Sequence, residues 1–263
     1  MVDLTIVNRC LAAWPQAGMA GACLICVKAV QAVITTIEMH PSKELTMAIV
    51  VALEQVERLA PDCGAAYRAA LAIGQPVLDY YGISARALRV VHFFAQVLHE
   101  TGALTLQFEN LNYSAARLRE IWPNRFRPRG PLKAAHYAHR PQRLANVVYG
   151  GRLGNVAPGD GYLFRGRGLL QLTGKDGYAH ATTLLRQVWH AVPDLTRDPD
   201  AVVAAAWCLQ VAAAEWQSRG CNEAADQDDV ALVTKLINGG SIGLAERIVW
   251  TDKTRAVWAT LSP

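Results

Sequence analysis

From residue 47 onward the apolar side chains return at intervals of three and four, a period that predicts a succession of helices. Residues 47–59 are amphipathic and stop at Pro61, and 64–81 reads as helix interrupted at Gly74-Gln75-Pro76. Ser84 is placed to cap a helix running through Phe93, Phe94 and Val97 to Glu100. The second half of that helix is apolar on nearly every face, so it is expected to be buried. Ser114 can cap a short helix to Ile121, and prolines open two more over 131–139 and 141–149. Helices resume over 175–190, 199–219, 226–237 and 243–261. Strand signals are weak and no repeat interrupts the series, which predicts one mainly α domain over residues 46–263.

The first 45 residues break the pattern. Between 10 and 37 the chain is small and apolar but is interrupted by Pro15, Gln16, Lys28 and Gln31, and only Arg9 stands where a basic start would be. It is too broken for a convincing transmembrane span and lacks the cleavage site of a standard signal peptide. Three readings stay open: an export or membrane-interacting segment, a helical extension, or residues upstream of a natural start near Met47.

At 263 residues the chain has room for one large domain with an extension and a substantial core. Net charge is only +4, but residues 116–152 hold nine Lys or Arg (Arg117, Arg119, Arg125, Arg127, Arg129, Lys133, Arg140, Arg143, Arg152) against Glu120 alone. That net +8 leaves −4 for the rest and favours weak contact with an anionic partner, against the plainer reading of a solvated, partly paired surface. No nucleic-acid-binding motif accompanies the band, so nucleic acid is not an expected partner. Six cysteines are scattered at 10, 23, 26, 63, 208 and 221; Cys23 and Cys26 form a C-x-x-C, but no second pair at zinc spacing follows. Neither a metal nor a cofactor is expected.

Two carboxylates, Glu100 and Glu109, stand on either side of Gly102 where the apolar helix runs out. Glycoside hydrolysis needs one carboxyl to protonate the leaving oxygen and another to activate water at the same bond. A carboxyl at the end of a buried helix suits the proton donor. In a continuous helix the two Cα atoms would be ~13 Å apart, so joint work requires a turn, and Gly102 supplies one. Two glutamates alone are more often ordinary helix-end and loop charges.

Three further segments shift that balance. Residues 162–174, Tyr-Leu-Phe-Arg-Gly-Arg-Gly-Leu-Leu-Gln-Leu-Thr-Gly, set an aromatic, two guanidinium groups, an amide and a hydroxyl on glycine-rich backbone, as a sugar cleft wants. Ile237-Asn238-Gly239-Gly240 ends a helix, where Asn-Gly is commonly a plain C-cap. Arg247 can pair with a carboxylate and orient it.

With Phe93-Phe94-Ala95-Gln96 running into His99-Glu100-Thr101-Gly102, these blocks occur in the order found in glycoside hydrolase family 19, which the chain resembles from about residue 47 to 262. The segment from Glu109 to Ala115 is similar to the compact, endolysin-type branch that cuts peptidoglycan. The resemblance implies a lysozyme-like, two-lobed helical domain with a central cleft and an inverting mechanism. In it Glu100 matches the general acid, Glu109 the candidate base and Thr173 the water-holding hydroxyl. Gln171 and Asn238 match substrate contacts, Arg247 a supporting arginine, and Arg167 and Tyr113 join the positioning set. Gly177 departs from the family, which often has asparagine there, and the first 45 residues have no counterpart.

The expected activity is therefore hydrolysis of β-1,4 bonds in a peptidoglycan strand by a monomer made in the bacterial cytoplasm and acting on the wall. Inversion implies carboxyl groups ~6.5–9.5 Å apart. His99 beside Glu100 lacks the two-histidine spacing of a zinc protease and is expected to be packed. The rival substrate is chitin, also a β-1,4-linked N-acetylhexosamine polymer. A reading of another class is a non-catalytic wall-binding protein, against which an intact carboxylate pair counts.

Overall fold

The computed structural model describes residues 48–259, so the apolar extension over residues 1–45 and its C-x-x-C lie outside the described residues. Among the described residues twelve α-helices follow in order: α1 (Leu53–Leu59), α2 (Ala65–Ala72), α3 (Gln75–Tyr80), α4 (Ala87–Glu100), α5 (Ala115–Ile121), α6 (Pro141–Tyr149), α7 (Asp160–Leu163), α8 (Lys175–Arg186), α9 (Cys208–Ser218), α10 (Cys221–Asp226), α11 (Val230–Asn238) and α12 (Leu244–Trp258). Short 3₁₀ turns occupy Ala134–His136 and Pro199–Val203. Among the described residues the only β-type pairings are isolated bridges. No described helix is long and apolar enough to cross a membrane.

The centre of the molecule is α4, buried from Val90 to Leu98 as its apolar pattern requires. Its main neighbour is α12, with α10 and α11 beside it. Phe94 stacks on Trp258 at 4.9 Å, Phe93 meets Trp216 edge-on at 5.4 Å, and the Thr254 hydroxyl donates to the Val91 carbonyl. A second, smaller apolar cluster is built by Leu111, Leu118, Phe126, Leu144 and Val148, with Tyr149 and Tyr162 packed against it. Two cores make two lobes.

Several boundaries differ from the periodicity for identifiable reasons. Residues 49–51 are extended, not helical, because the Ile49 amide donates to the Ser84 carbonyl while the Gln75 side chain bonds both Val51 and Ile49. Ser84 does not cap α4; its hydroxyl donates to Asp79 at 2.5 Å, and the N-cap position falls two residues later, at Arg86. Ser114 does cap α5, accepting from the Arg117 amide. The expected helix at 131–139 shrinks to one 3₁₀ turn, and 199–219 divides into a 3₁₀ turn and α9. The break at Gly74 is a close approach: a Cβ there would lie 2.5 Å from Leu209 Cδ2. Cys63, Cys208 and Cys221 are free and buried, and burial pushes the thiols of the latter two up to about 12. Such thiols are packing groups.

Arg89 ties α4 to α10 through a two-pronged contact with Asp226, at 2.8 and 2.6 Å. Hydrogen bonding by Arg89 holds the Asp226 carboxyl below the usual carboxylate range. A depressed native pKa stabilises the fold above the unfolded value of about 3.9, and the gain fades as pH falls through the native value. Arg89→Ala is therefore expected to cost about 2 kcal/mol at pH 7. Denaturant melts should show that gap shrinking below about pH 4; a gap unchanged at acid pH contradicts the assignment.

Candidate active site

Glu100 is the last residue of α4. Beyond it the Thr101 hydroxyl donates to the Val97 carbonyl at 2.6 Å and accepts from the Leu104 amide at 2.8 Å. Gly102, Ala103 and Leu104 then follow one another in left-handed conformation, with φ of 54°, 57° and 62°. This is the expected turn at Gly102, extended over two residues for which it is strained. The chain reverses and pairs with the 166–168 segment: the Gly168 amide donates to the Gln107 carbonyl, Phe108 bridges Arg167, and the Glu109 amide donates to the Gly166 carbonyl at 3.0 Å. That pairing brings Glu109 back to Glu100, and both line one cavity of about 340 Å³ with Tyr149, Gly166, Gln171 and Thr173.

The environments of the two carboxylates differ. Arg247, on α12, is 3% exposed and donates through Nη2 to Glu100 Oε1 at 2.5 Å and through Nη1 to Gln96. Among the described residues Glu109 meets no cation; its Oε1 accepts from the Gly166 amide and its Oε2 from the Tyr149 hydroxyl, both at 2.7 Å. Burial and the negative charge of Glu109 push the Tyr149 phenol well above its ordinary value, so it remains a donor. Gly166 is required by crowding, since a Cβ there would lie 2.9 Å from Gln171 Oε1, 3.2 Å from Glu109 Cβ and 3.3 Å from Thr173 Oγ1. The Thr173 hydroxyl donates to the Gln171 carbonyl at 2.8 Å. Gln171, itself left-handed at φ 51°, donates to the Gly168 carbonyl and leaves Oε1 buried without a partner.

A second cavity of about 480 Å³ shares Glu100, Gln171 and Thr173 with the first, so the two are arms of one cleft. Asn238 lines the second arm, but its amide is occupied in its own loop, accepting from Gly240 and donating to the Ile242 carbonyl, each at 2.8 Å. Gly177 lines it too and adds no side chain. Arg167 is a buried strut: Nε reaches Asp200 at 3.0 Å, and Nη1 holds the Leu163 carbonyl and the Tyr178 hydroxyl. Tyr113 packs edge-on against Trp122 at 5.7 Å, outside the carboxylate cavity, with its phenol pushed up by burial and by Glu109. His99 packs under the start of α12, where a Cβ on Gly243 would lie 2.6 Å from its Nε2; burial, then Arg247, hold its imidazole below the ordinary value. Among the described residues no group of three or more His, Cys, Asp or Glu is arranged to hold a metal.

The chain is 40% identical over 157 residues to a Haemophilus influenzae protein described as a glycosyl hydrolase family 19 domain-containing protein, a match covering 59% of this chain and 72% of the relative. The chain belongs to glycoside hydrolase family 19. No protein-family model matches it. Its fold is similar to that of chitinase C from Streptomyces griseus, with a TM-score of 0.54 at 16% identity over 82% of this chain and 96% of the chitinase. This family 19 enzyme is accordingly a glycoside hydrolase with the mainly helical, lysozyme-like architecture expected from its sequence.

Tyr149 is the site residue that the sequence reading missed. It closes α6 in the smaller lobe, 40 positions from Glu109, and nothing in local spacing links the two. Losing a hydrogen bond to a charged group costs about 1.5–3 kcal/mol. Tyr149→Phe leaves the Glu109 carboxylate one donor short and is therefore expected to lower the thermal midpoint by several degrees and kcat by about tenfold. Unaltered kcat in a folded variant would remove Tyr149 from the site.

Proposed function

We propose that this family 19 enzyme cleaves β-1,4 bonds of peptidoglycan by an inverting mechanism, with Glu100 as general acid and Glu109 as general base. What carries this reading is the commitment of hydrogen atoms around Glu109. The Thr173 hydroxyl spends its hydrogen on the Gln171 carbonyl, which can only accept, so Oγ1 offers lone pairs to the cavity. Glu109, fixed by two donors, also offers lone pairs. A water between them gives one hydrogen to each and turns its own lone pair toward the sugar carbon. Proton transfer to Glu109 then accompanies attack.

Glu100 supplies the other half. Arg247 fixes Oε1, and Oε2 has no protein partner among the described residues. The protonated carboxyl delivers from the unheld oxygen to the leaving group, and Arg247 meets the negative charge that forms as the proton departs. Gln96 and the buried stem of Arg247 hold that geometry from behind the cleft.

Peptidoglycan is favoured over chitin by the basic smaller lobe, because stem peptides carry carboxylates that chitin lacks. A chitinase reading is kept in view by the structural neighbour, which is itself a chitinase. Glu100→Gln and Glu109→Gln are each expected to lower the rate on purified sacculi by about 10²- to 10⁴-fold without loss of fold. Lysis surviving in a folded Glu100→Gln variant overturns the assignment, and wall binding without any cleavage by the parent would favour the non-catalytic reading. Mass spectrometry of the fragments identifies substrate and bond, with N-acetylhexosamine ends on stem-bearing disaccharides expected.

A further inference from the structure

The smaller lobe, with Leu118, Phe126 and Leu144 fully buried, carries a surface unlike the remainder of the chain. Residues 116–152 are net +8 where the rest is −4. Arg125 donates to the Val147 and Val148 carbonyls, closing the end of α6, Arg117 pairs with Glu120 at 2.8 Å, and Arg127 donates to the Pro131 carbonyl at 3.4 Å while remaining exposed. Apart from Arg117 and Arg125 the cations are exposed, and none of those seven has an acidic side chain within ion-pair distance among the described residues. Arg143 rests on the Tyr137 ring at 4.9 Å and still presents its charge outward. Exposed like charges concentrated in one segment, with no acid beside them, raise the local positive potential of the lobe and favour the approach of anions.

The same lobe forms one wall of the cleft. Tyr149, the last residue of α6, reaches Glu109, so the lobe that carries these cations also lines the cavity that holds the carboxylates. We propose that the exposed face of the smaller lobe, around Arg129, Lys133 and Arg140, is a second binding site that holds stem-peptide carboxylates of the strand being cut. This rests on the peptidoglycan reading and extends it to a surface that takes no part in bond cleavage. Carboxylates repeat along peptidoglycan and are absent from chitin, so the site retains the enzyme on one polymer between cuts and not on the other. Its hold depends on exposed charges and weakens with salt, over a screening length of about 8 Å at physiological ionic strength.

The test is pelleting of the full chain with purified Gram-negative sacculi, which carry no teichoic acid, in a Glu100→Gln background on ice. Arg129→Gln/Lys133→Gln/Arg140→Gln is expected to weaken binding about tenfold at low salt and to flatten its salt dependence. Amidating the sacculus carboxyls should reproduce the loss for the parent. With Glu100 intact, the triple variant should keep the parent's thermal midpoint and cleave amidated sacculi at the parent's rate. Equal binding by variant and parent, or parent binding that survives amidation, overturns the proposal. An active parent that cuts chitin and leaves sacculi whole refutes the peptidoglycan reading separately, while the pelleting still decides whether the surface holds carboxylates.

Discussion

A guanidinium that is 3% exposed cannot stand without partners, and Arg247 finds them only on α4. Burying a cation is tolerable when hydrogen bonds and an opposite charge replace water, and removal of one partner leaves a large desolvation cost. Gln96 and Glu100 sit one helical turn apart on the same stripe, so a single arginine on α12 engages both. The tight apolar contact of α12 with α4, with Phe94 on Trp258 and Thr254 on Val91, brings the guanidinium to that stripe. Core packing thereby sets the direction of one carboxylate oxygen in the cleft.

The second carboxylate is placed by different means. Glu109 lies on irregular backbone, and its position comes from the left-handed run at 102–104 and from pairing with the segment around Gly166. Among the described residues no cation contacts it directly; a backbone amide and a phenol do the holding. On the proposed mechanism that cradle leaves Glu109 lone pairs to receive a proton, while Glu100, held by Arg247 through one oxygen, keeps the other for giving a proton away. Two glutamates nine positions apart thus stand in different settings, one beside a buried guanidinium and one in a neutral hydrogen-bonded cradle.

Much of this was legible in the chain. The buried character of α4, the turn at Gly102 and the start of α5 at Ser114 follow from local pattern, because each depends on neighbours within one or two helical turns. The family motifs also marked Glu100, Glu109, Gln171, Thr173 and Arg247; the first four line one cleft and Arg247 is buried behind it. What was hidden depends on contacts distant in sequence. Residues 49–51 are helical by periodicity but are drawn extended by Gln75 and Ser84, and Tyr149 enters the site across 40 residues. Arg167 and Asn238 show the converse: their groups looked available for a ligand, yet the fold uses them on Asp200, Tyr178 and the loop at Ile242.

The division of labour between Glu100 and Glu109 is tested most directly by the anomeric form of the first product. On the proposed mechanism, water held by Glu109 and Thr173 opposite the leaving group replaces a β bond by attack from the other face. Proton NMR recorded within the first minutes of digestion, before mutarotation, should therefore show the new reducing end as the α anomer. A β anomer formed first would mean retention, and would contradict a water-activating Glu109.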